Sequence, residues 1–511
     1  MNKPNLSFWQ MWNLSFGFFG VQMAFALQTS QNSRIFETLG ADPHNLSYFW
    51  ILPPLMGMIV QPIVGSMSDK TWCKWGRRKP YLYVGTLIAA IAMFLFPNSG
   101  SLNLQSVGAV MAFGATMLML LDTSLNMAMQ PFKMMVGDMV NDEQKAKAYS
   151  IQSMLCNAGQ VIGNLLPKLL ALVFAGGVAV TAATMVDSEQ AETPAIDNQL
   201  SDVAVDAANA LPNDENVLDY AAEVEAIENT EVEAVETSAE AAAKANEQSL
   251  VGQEVPAEVK WSFYIGAIAM IICVLYTSIK VKEFTPEQYA KMNNSRPEDK
   301  AEKTNFIALL KRAPAAFWQI GLVQFFCWFA FMMMWTYTNG AIAENVWGAT
   351  DKSMPGFKEL FDEAGNWVGV LFAVQSVASV LWALVLPRFR NTKTAYSTSL
   401  VLAGIGFIST LFIRDQYALC LSFALVGCGW AAMLAMPFAM LTNSLSGKSM
   451  GAYLGLFNCT ICLPQIIASL AGGVLLSACG GERIYMLLIA GISLLIAAVA
   501  VFGISVKRNE E

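Results

Sequence analysis

The sequence predicts an all-α membrane protein of twelve transmembrane helices in two six-helix bundles, with both termini cytoplasmic. Of its 511 residues, 55% are hydrophobic and 14% are charged, whereas soluble domains carry roughly 25% charged residues. The apolar residues form blocks of about 20, the length that a helix needs to cross a bilayer. In lipid, a spanning segment must be a helix or a strand of a closed barrel. Barrel strands alternate between apolar and polar residues and these blocks do not, so we predict helices.

Each block is assigned to one span, in chain order. The first block follows Trp9 and Trp12, is longer than the apolar region of a signal peptide and has no small-residue cleavage site near it, so we expect a retained helix. The twelve predicted spans are 8–34, 46–68, 80–97, 105–134, 148–175, 261–280, 314–342, 366–386, 395–413, 418–441, 451–478 and 484–506.

The distribution of lysine and arginine sets the predicted orientation. Most of these residues fall at the two ends of the chain and in the even-numbered connections. The positive-inside rule therefore places both termini in the cytoplasm.

A long charged connection, 281–313, divides the spans into two groups of six. Residues 1–175 and 259–280 then form the N-terminal bundle, and residues 314–511 form the C-terminal bundle. Paired bundles are typical of transporters, whose substrate site lies near the bilayer midplane between the halves.

Residues 176–258 are an acidic insertion that this orientation places on the outer face. Nearly half of the acidic side chains of the protein lie there, with one lysine, Lys244, and without tryptophan or phenylalanine. Such a segment buries too little apolar surface to offset its ordering entropy, so we expect disorder with patches of helix around 221–247. It is either a solvated insertion or a docking segment.

The loop after the second span carries a motif that predicts a cytoplasmic gate. Gly65 permits close helix approach, and the basic residues that follow can pair with Asp69 or with lipid headgroups; an ordinary cytoplasmic loop also collects such bases. We expect Pro131, Lys133 and Asp138 to end the fourth helix, and Lys133 with Asp138 could form a second latch. The gate candidates are Gly65, Asp69, Arg77, Arg78, Lys133 and Asp138.

Asp122 lies well inside the fourth span, where an aspartate costs roughly 2.5–3.5 kcal/mol to insert. Intramembrane carboxylates usually serve as proton relays or ion sites, so we expect Asp122 to couple transport to protons. The alternative is a permanent ion pair, with Lys168 as a possible partner. Asn126 follows at i+4 on the same helix face.

Amides and aromatic rings recur within the spans, and together they suit the hydroxyls and CH faces of a sugar. Each amide alone could also join helices to one another. The sugar-binding candidates from these patterns are Gln28, Asp122, Asn126, Asn157, Trp328, Trp335, Gln375, Asn458 and Gln465.

Several functions are excluded by what the sequence lacks. It has no phosphate-binding loop and one histidine, His44, so an ATP-driven pump or a membrane hydrolase is not expected. Most of its nine cysteines fall within spans, where a thiol behaves as a small apolar residue. We therefore expect no catalytic residues, no metal and no cofactor other than the coupling proton, a monomer in the lipid bilayer, and no nucleic-acid partner.

Collinear motifs resemble a known family. They include Gly20-Val21-Gln22, Val60-Gln61-Pro62-Ile63-Val64-Gly65, Ser68-Asp69, Gly76-Arg77-Arg78-Lys79-Pro80, Leu121-Asp122, Asn126, Cys327-Trp328-Phe329-Ala330-Phe331 and Pro464-Gln465. Across nearly the whole chain except the insertion, they resemble plant sucrose–proton symporters and their animal and bacterial relatives. These belong to the glycoside-pentoside-hexuronide symporter group of the major facilitator superfamily.

The resemblance implies a facilitator fold that imports a disaccharide with protons across the inner, or plasma, membrane. It implies that Asp122 is the proton-coupling and sugar-holding acid of helix four, and that His44 takes part in sugar access. The chain departs from the plant pattern at Thr338-Asn339-Gly340, Glu344 and Lys133. These departures weaken the resemblance to the plant sucrose carriers, and because bacterial relatives often handle maltose or other α-glucosides, the resemblance favours maltose over sucrose. A sodium-coupled symporter and a sugar sensor with the insertion as its signalling arm are the alternatives.

Overall fold

The computed structural model describes residues 3–102, 104, 106–141, 143–186, 254–285, 287–288, 311, 313–444 and 456–505. Within them the regular structure is helical, apart from an isolated β-bridge between Cys73 and Gly76, and two helices together cover the second predicted span, 46–68. The helices are α1 (Phe8–Thr38), α2 (Pro43–Phe49), α3 (Leu52–Lys70), α4 (Lys79–Leu95), α5 (Val107–Met139), α6 (Lys145–Val186), α7 (Ala257–Lys280), α8 (Ala315–Trp347), α9 (Phe357–Val385), α10 (Thr392–Ser409), α11 (Leu419–Ser444), α12 (Cys459–Ala478) and α13 (Ile484–Ala500).

Local sequence sets where the first two helices start. Ser7 and Gln10 form a capping box at the start of α1. Asp42 caps α2 by accepting a hydrogen bond from the His44 amide, and Pro43 fits the first helical turn. These helices therefore begin where a side chain satisfies the free backbone N–H groups of the first turn.

Ten of the described helices are long and apolar enough to cross a membrane. The chain is thus a multi-pass membrane protein. The predicted first and ninth spans coincide with α1 and α10, which fall outside this set of ten. The count of twelve spans and the orientation remain predictions, and "outer" and "cytoplasmic" below follow the predicted orientation.

Several helices extend beyond their predicted ends, α5 and α6 among them. The fourth span is predicted to end at residue 134, with Pro131, Lys133 and Asp138 at its end, but α5 continues to Met139 with Pro131 in its interior. A proline removes a single helical hydrogen bond, and α5 packs along both α3 and α4, which offsets the loss. Similarly, α6 continues to Val186 rather than ending at residue 175. The predicted disorder and helical patches at 187–253 lie outside the described residues.

The buried apolar side chains form two main cores, one for each predicted bundle. One core draws on residues from Met11 to Val281. The other draws on residues from Phe317 to Ile504, together with Trp50. The halves meet where α6 packs on α9, where α12 packs on α2 and α3, and where α1 packs on α8 and α9. This contact surface is where a site between the halves would lie.

Candidate functional site

A carboxyl surrounded by amides lies halfway along α5. Asp122 is 1% exposed. Its Oδ1 accepts a hydrogen bond from Gln28 Nε2 of α1 at 3.2 Å, and its Oδ2 accepts one from Asn126 Nδ2 at 2.8 Å. The structure therefore brings together three of the predicted residues, and both amides that hold the carboxyl are neutral.

A helix of the C-terminal half, α12, packs on a neighbour of α5. It contacts α3, and α3 in turn packs on α5, the helix that carries Asp122. Asn458, directly before α12, lies beside Cys462, with 3.8 Å between its Nδ2 and the thiol sulfur. Asn458 and Cys462 therefore belong to the part of the other bundle that packs on α3.

Lys168 is not the partner of Asp122. Its amine forms an ion pair with Glu363 of α9 instead. The alternative in which Asp122 is permanently paired with Lys168 is therefore wrong, because that lysine is held by a carboxylate of the other half.

Two further amides, which the sequence analysis did not select, continue the cluster. Gln61 Nε2 of α3 donates to Asn126 Oδ1 at 2.7 Å. Gln130 Nε2 of α5 donates to Gln61 Oε1 at 2.6 Å. The recurrence of polar residues at 122, 126 and 130 could have revealed Gln130 because residues four apart share a helix face.

Tryptophans cluster in the C-terminal half at its contact with α1 and α2. The ring centroids of Trp328, Trp335 and Trp430 lie 5.8–6.4 Å apart, and Trp50 stacks on Trp335 at 6.2 Å. Trp50 also donates to Ser33 Oγ at 2.9 Å. The predicted pair Trp328 and Trp335 thus belongs to a larger aromatic group that reaches into the N-terminal half.

The other sugar candidates are placed elsewhere. Asn157 donates to the carbonyl of Ser153 on its own helix at 2.8 Å. Gln375 and Gln465 are buried in α9 and α12. His44 lies at the outer end, where its ring nitrogen contacts Asp42 Oδ1 at 3.0 Å. The role of these four residues in sugar binding stays a prediction.

The cytoplasmic motif is organised around Arg78. Its guanidinium bonds Asp138 at 3.0 Å and Ser68 Oγ at 2.5 Å. Asp138 was predicted to latch onto Lys133, but it pairs with Arg78, and Lys133 is exposed. Arg77 Nε donates to the carbonyl of Ser68 at 3.3 Å.

The other two gate candidates lie on α3. A Cβ at Gly65 would lie 3.1 Å from the Met134 side chain, so α3 and α5 are close at this glycine. The side chain of Asp69 lies outside the described part of the chain.

Glu283, just after α7, holds the same loop through its backbone. Its carboxylate accepts hydrogen bonds from the backbone amides of Arg77, Arg78 and Lys79, at 2.7–2.9 Å. These amides belong to the start of α4, where free N–H groups and the helix dipole favour an anion. This contact could not be predicted from the sequence because it joins positions about 200 residues apart.

At the outer end, Arg34 of α1 is shared between the halves. This arginine has a fully buried side chain. Its guanidinium bonds Glu258 of its own half at 3.0 Å and Asp362 of the other half at 3.1 Å. It also donates to Asn366 Oδ1 at 2.8 Å. We refer to this group as the Arg34 cluster.

A second arginine at the outer end has the mirrored arrangement. Arg483, directly before α13, bonds Glu344 of its own half at 3.0 Å and Glu37 of α1 in the other half. Burial alone would lower the pKa of Arg483, but the carboxylates of Glu37 and Glu344 outweigh burial and raise it. We refer to these three residues as the Arg483 cluster.

Glycines make room for both arginines. A Cβ added to Gly365 of α9 would overlap the Arg34 side chain, and one added to Gly340 of α8 would overlap the Arg483 side chain. Helix faces without a side chain thus let the guanidinium groups lie between the bundles. The departure from the plant pattern at Gly340 and Glu344 falls in and beside the Arg483 cluster.

Comparison with known proteins finds similarity to sugar transporters. Residues 16–194 match the family model described as MFS/sugar transport protein. The chain is 28% identical over 165 residues to the general alpha-glucoside permease of Schizosaccharomyces pombe, a match that covers 30% of each chain. It is 21% identical to the sucrose transport protein SUC3 of Arabidopsis thaliana, over 94% of this chain and 84% of the relative.

The fold agrees with solved transporters. The structure is similar to that of the nucleoside transporter NupG, with a TM-score of 0.59 and 13% identity over 97% of this chain and 98% of the other. This likeness shows the fold alone, and the match to the family model covers residues 16–194 of the 511 residues. The matches to the first curated relatives span less than a third of their length.

Proposed function

We propose that the protein is a proton-coupled symporter that imports an α-glucoside disaccharide, maltose before sucrose, by alternating access. The observation that carries this proposal is the environment of Asp122. The carboxyl is buried halfway along α5 and is held by the neutral amides of Gln28 and Asn126. A carboxyl in neutral surroundings gains or loses a proton without breaking an ion pair, which is what a coupling group needs.

The substrate class comes from the relatives, from the amides beside Asp122 and from the tryptophan group at the contact between the halves. Amides and tryptophans supply hydrogen bonds and flat apolar faces, the two features that a sugar presents. The permease and sucrose transporter in the comparisons act on an alpha-glucoside and on sucrose by their names. An α-linked disaccharide fits the substrate named for each of these two relatives.

Uptake by reconstituted liposomes tests the proposal. With an imposed proton gradient, wild-type protein should concentrate maltose, whereas Asp122→Asn should lose accumulation and keep sugar exchange without a gradient. Asp351→Asn is the matched control because this aspartate lies in a connection outside the spans, where it accepts a hydrogen bond from the Ser353 amide. If Asp122→Asn still concentrates sugar normally, the coupling role is wrong.

Two further conditions separate the alternatives. Replacing sodium with choline should leave uptake unchanged, while a sodium-coupled symporter would stop. Deleting residues 187–253 should also leave uptake intact. A sensor that uses this insertion as its signalling arm would lose its output on the same deletion.

A further inference from the structure

Gln28, Asp122, Asn126, Gln61 and Gln130 form one continuous chain of hydrogen bonds, which we name the amide ladder. Proton coupling requires the carboxyl and its two amide neighbours. It gives no role to Gln61 and Gln130, which form the other end of the ladder. These two residues are partly exposed, whereas Asp122 is buried.

The ladder is longer than one sugar ring needs. Asp122, Asn126 and Gln130 lie four residues apart on α5 and share one face. At 1.5 Å per residue, the stripe runs for about 12 Å along the helix. It therefore offers hydrogen-bonding groups to two rings in succession, the second on the cytoplasmic side of the first.

Gln61 and Gln130 have the right chemistry for a second ring. Each carboxamide both donates and accepts, as a sugar hydroxyl does, so the bond between the two glutamines can be exchanged for bonds to hydroxyls. Prolines 62 and 131 directly follow them within α3 and α5. A proline lacks the N–H that would bond the carbonyl four residues earlier, which leaves an additional acceptor on each helix.

Gly57 lies against this end of the ladder. A Cβ at Gly57 would lie 3.8 Å from the amide atoms of Asn126 and Gln61, which is an ordinary contact. An alanine therefore fits at this position. A larger side chain would extend over the amides and compete with a ligand for them.

We propose that Gln61 and Gln130 form a subsite for the second ring of a disaccharide and so select two-ring over one-ring substrates. This subsite rests on the proposed sugar transport, with the first ring held at Asp122 and Asn126. In this proposal the two glutamines determine which substrate length is accepted, and they take no part in proton coupling.

The test compares binding of maltose and of methyl α-glucoside, which has one ring, to the purified full chain by calorimetry. Gln61→Ala and Gln130→Ala should each weaken maltose binding by about tenfold, since each removes bonds of about 1 kcal/mol. Binding of methyl α-glucoside should change by less than about twofold. Gln160→Ala is the matched control because Gln160 bonds Gln22, outside the ladder.

A second pair of variants tests the same space without removing an amide. Gly57→Ala should bind both sugars as the wild type does, whereas Gly57→Leu should lose maltose and keep methyl α-glucoside. Equal losses for both sugars, or no loss for either, in the glutamine and leucine variants overturn the subsite alone. A wild-type protein that binds neither sugar overturns the proposed function and the subsite together.

Discussion

Charged groups at the outer and cytoplasmic ends of the protein are used differently. At the outer end, Arg34 and Arg483 each bond one carboxylate of their own half and one of the other half. At the cytoplasmic end, Arg78 and Glu283 have described partners within the N-terminal half. Ion pairs therefore tie the halves together outside, while the described cytoplasmic contacts stabilise one half. Among the described residues, opening of the outer end would therefore require these ion pairs between the halves to break.

Locking the outer end should have the largest effect. The Cβ position of Gly472 in α12 lies beside Ser47 of α2, close to the spacing that a disulfide spans after a small shift. With the nine native cysteines replaced, Ser47→Cys with Gly472→Cys should cross-link on oxidation and abolish uptake. Reduction should restore uptake, because the outer end must open to admit substrate.

Each single cysteine variant is the control for this experiment, since it cannot cross-link within one molecule. Uptake that continues after complete cross-linking, measured by gel shift, would contradict the view that the outer end opens during transport. The ion pairs between the halves at the outer end would then have no role in transport.

Breaking the Arg34 cluster should have the next largest effect. Arg34→Gln leaves Glu258 and Asp362 together without their cation, and losing one partner of a buried pair costs about 3–5 kcal/mol. The outer end should then open, and uptake should fall by about tenfold or more. Thiol labelling of a single cysteine at position 47 should increase in the same variant.

Two companion variants separate charge from simple damage. Adding Glu258→Gln and Asp362→Asn to Arg34→Gln removes the unpaired carboxylates and should recover part of the uptake. Gly365→Ala should give a weaker form of the Arg34 defect because it displaces the arginine. Gly108→Ala, where a Cβ has room, is its control. A triple variant no better than Arg34→Gln would show that charge pairing is not the cause.

Much of the fold could be predicted because lipid imposes a simple rule on the sequence. Unbroken apolar blocks had to be helices, and a described helix lies within each predicted span, with the second span divided into α2 and α3. The ends were less predictable. Pro131 is tolerated inside α5 because neighbouring helices stabilise it, and the split between α2 and α3 lies at Trp50, which packs with the other half.

Residues of the candidate site could be predicted where a polar side chain is costly to bury inside a span. They were harder to predict where their partners lie far away in the sequence. Asp122 and Asn126 stand out because polar groups are expensive inside a span. Arg34 and Glu37 lie near the end of the first span, where charges are ordinary. Their partners come from α7, α9 and the start of α13. Only the packing of the halves shows that these pairs form the outer contact.

The smallest effect should come from the cytoplasmic end. Glu283→Gln keeps one acceptor oxygen for the backbone amides at the start of α4 but loses the negative charge that the helix dipole favours. A charge-assisted contact of this kind contributes about 1–2 kcal/mol, so the melting temperature should fall by about 2–4 °C. Uptake should stay within about twofold of the wild type, because this carboxylate joins segments of the same half.

Glu287→Gln provides the comparison, since Glu287 is an exposed neighbour in the same connection. It should leave both the melting temperature and uptake unchanged. A loss of uptake in Glu283→Gln as large as that in Arg34→Gln, without a matching loss of stability, would mean that the loop after α3 acts across the halves. In that case the charged groups at both ends would act between the two halves, and the ends would differ only in conformation.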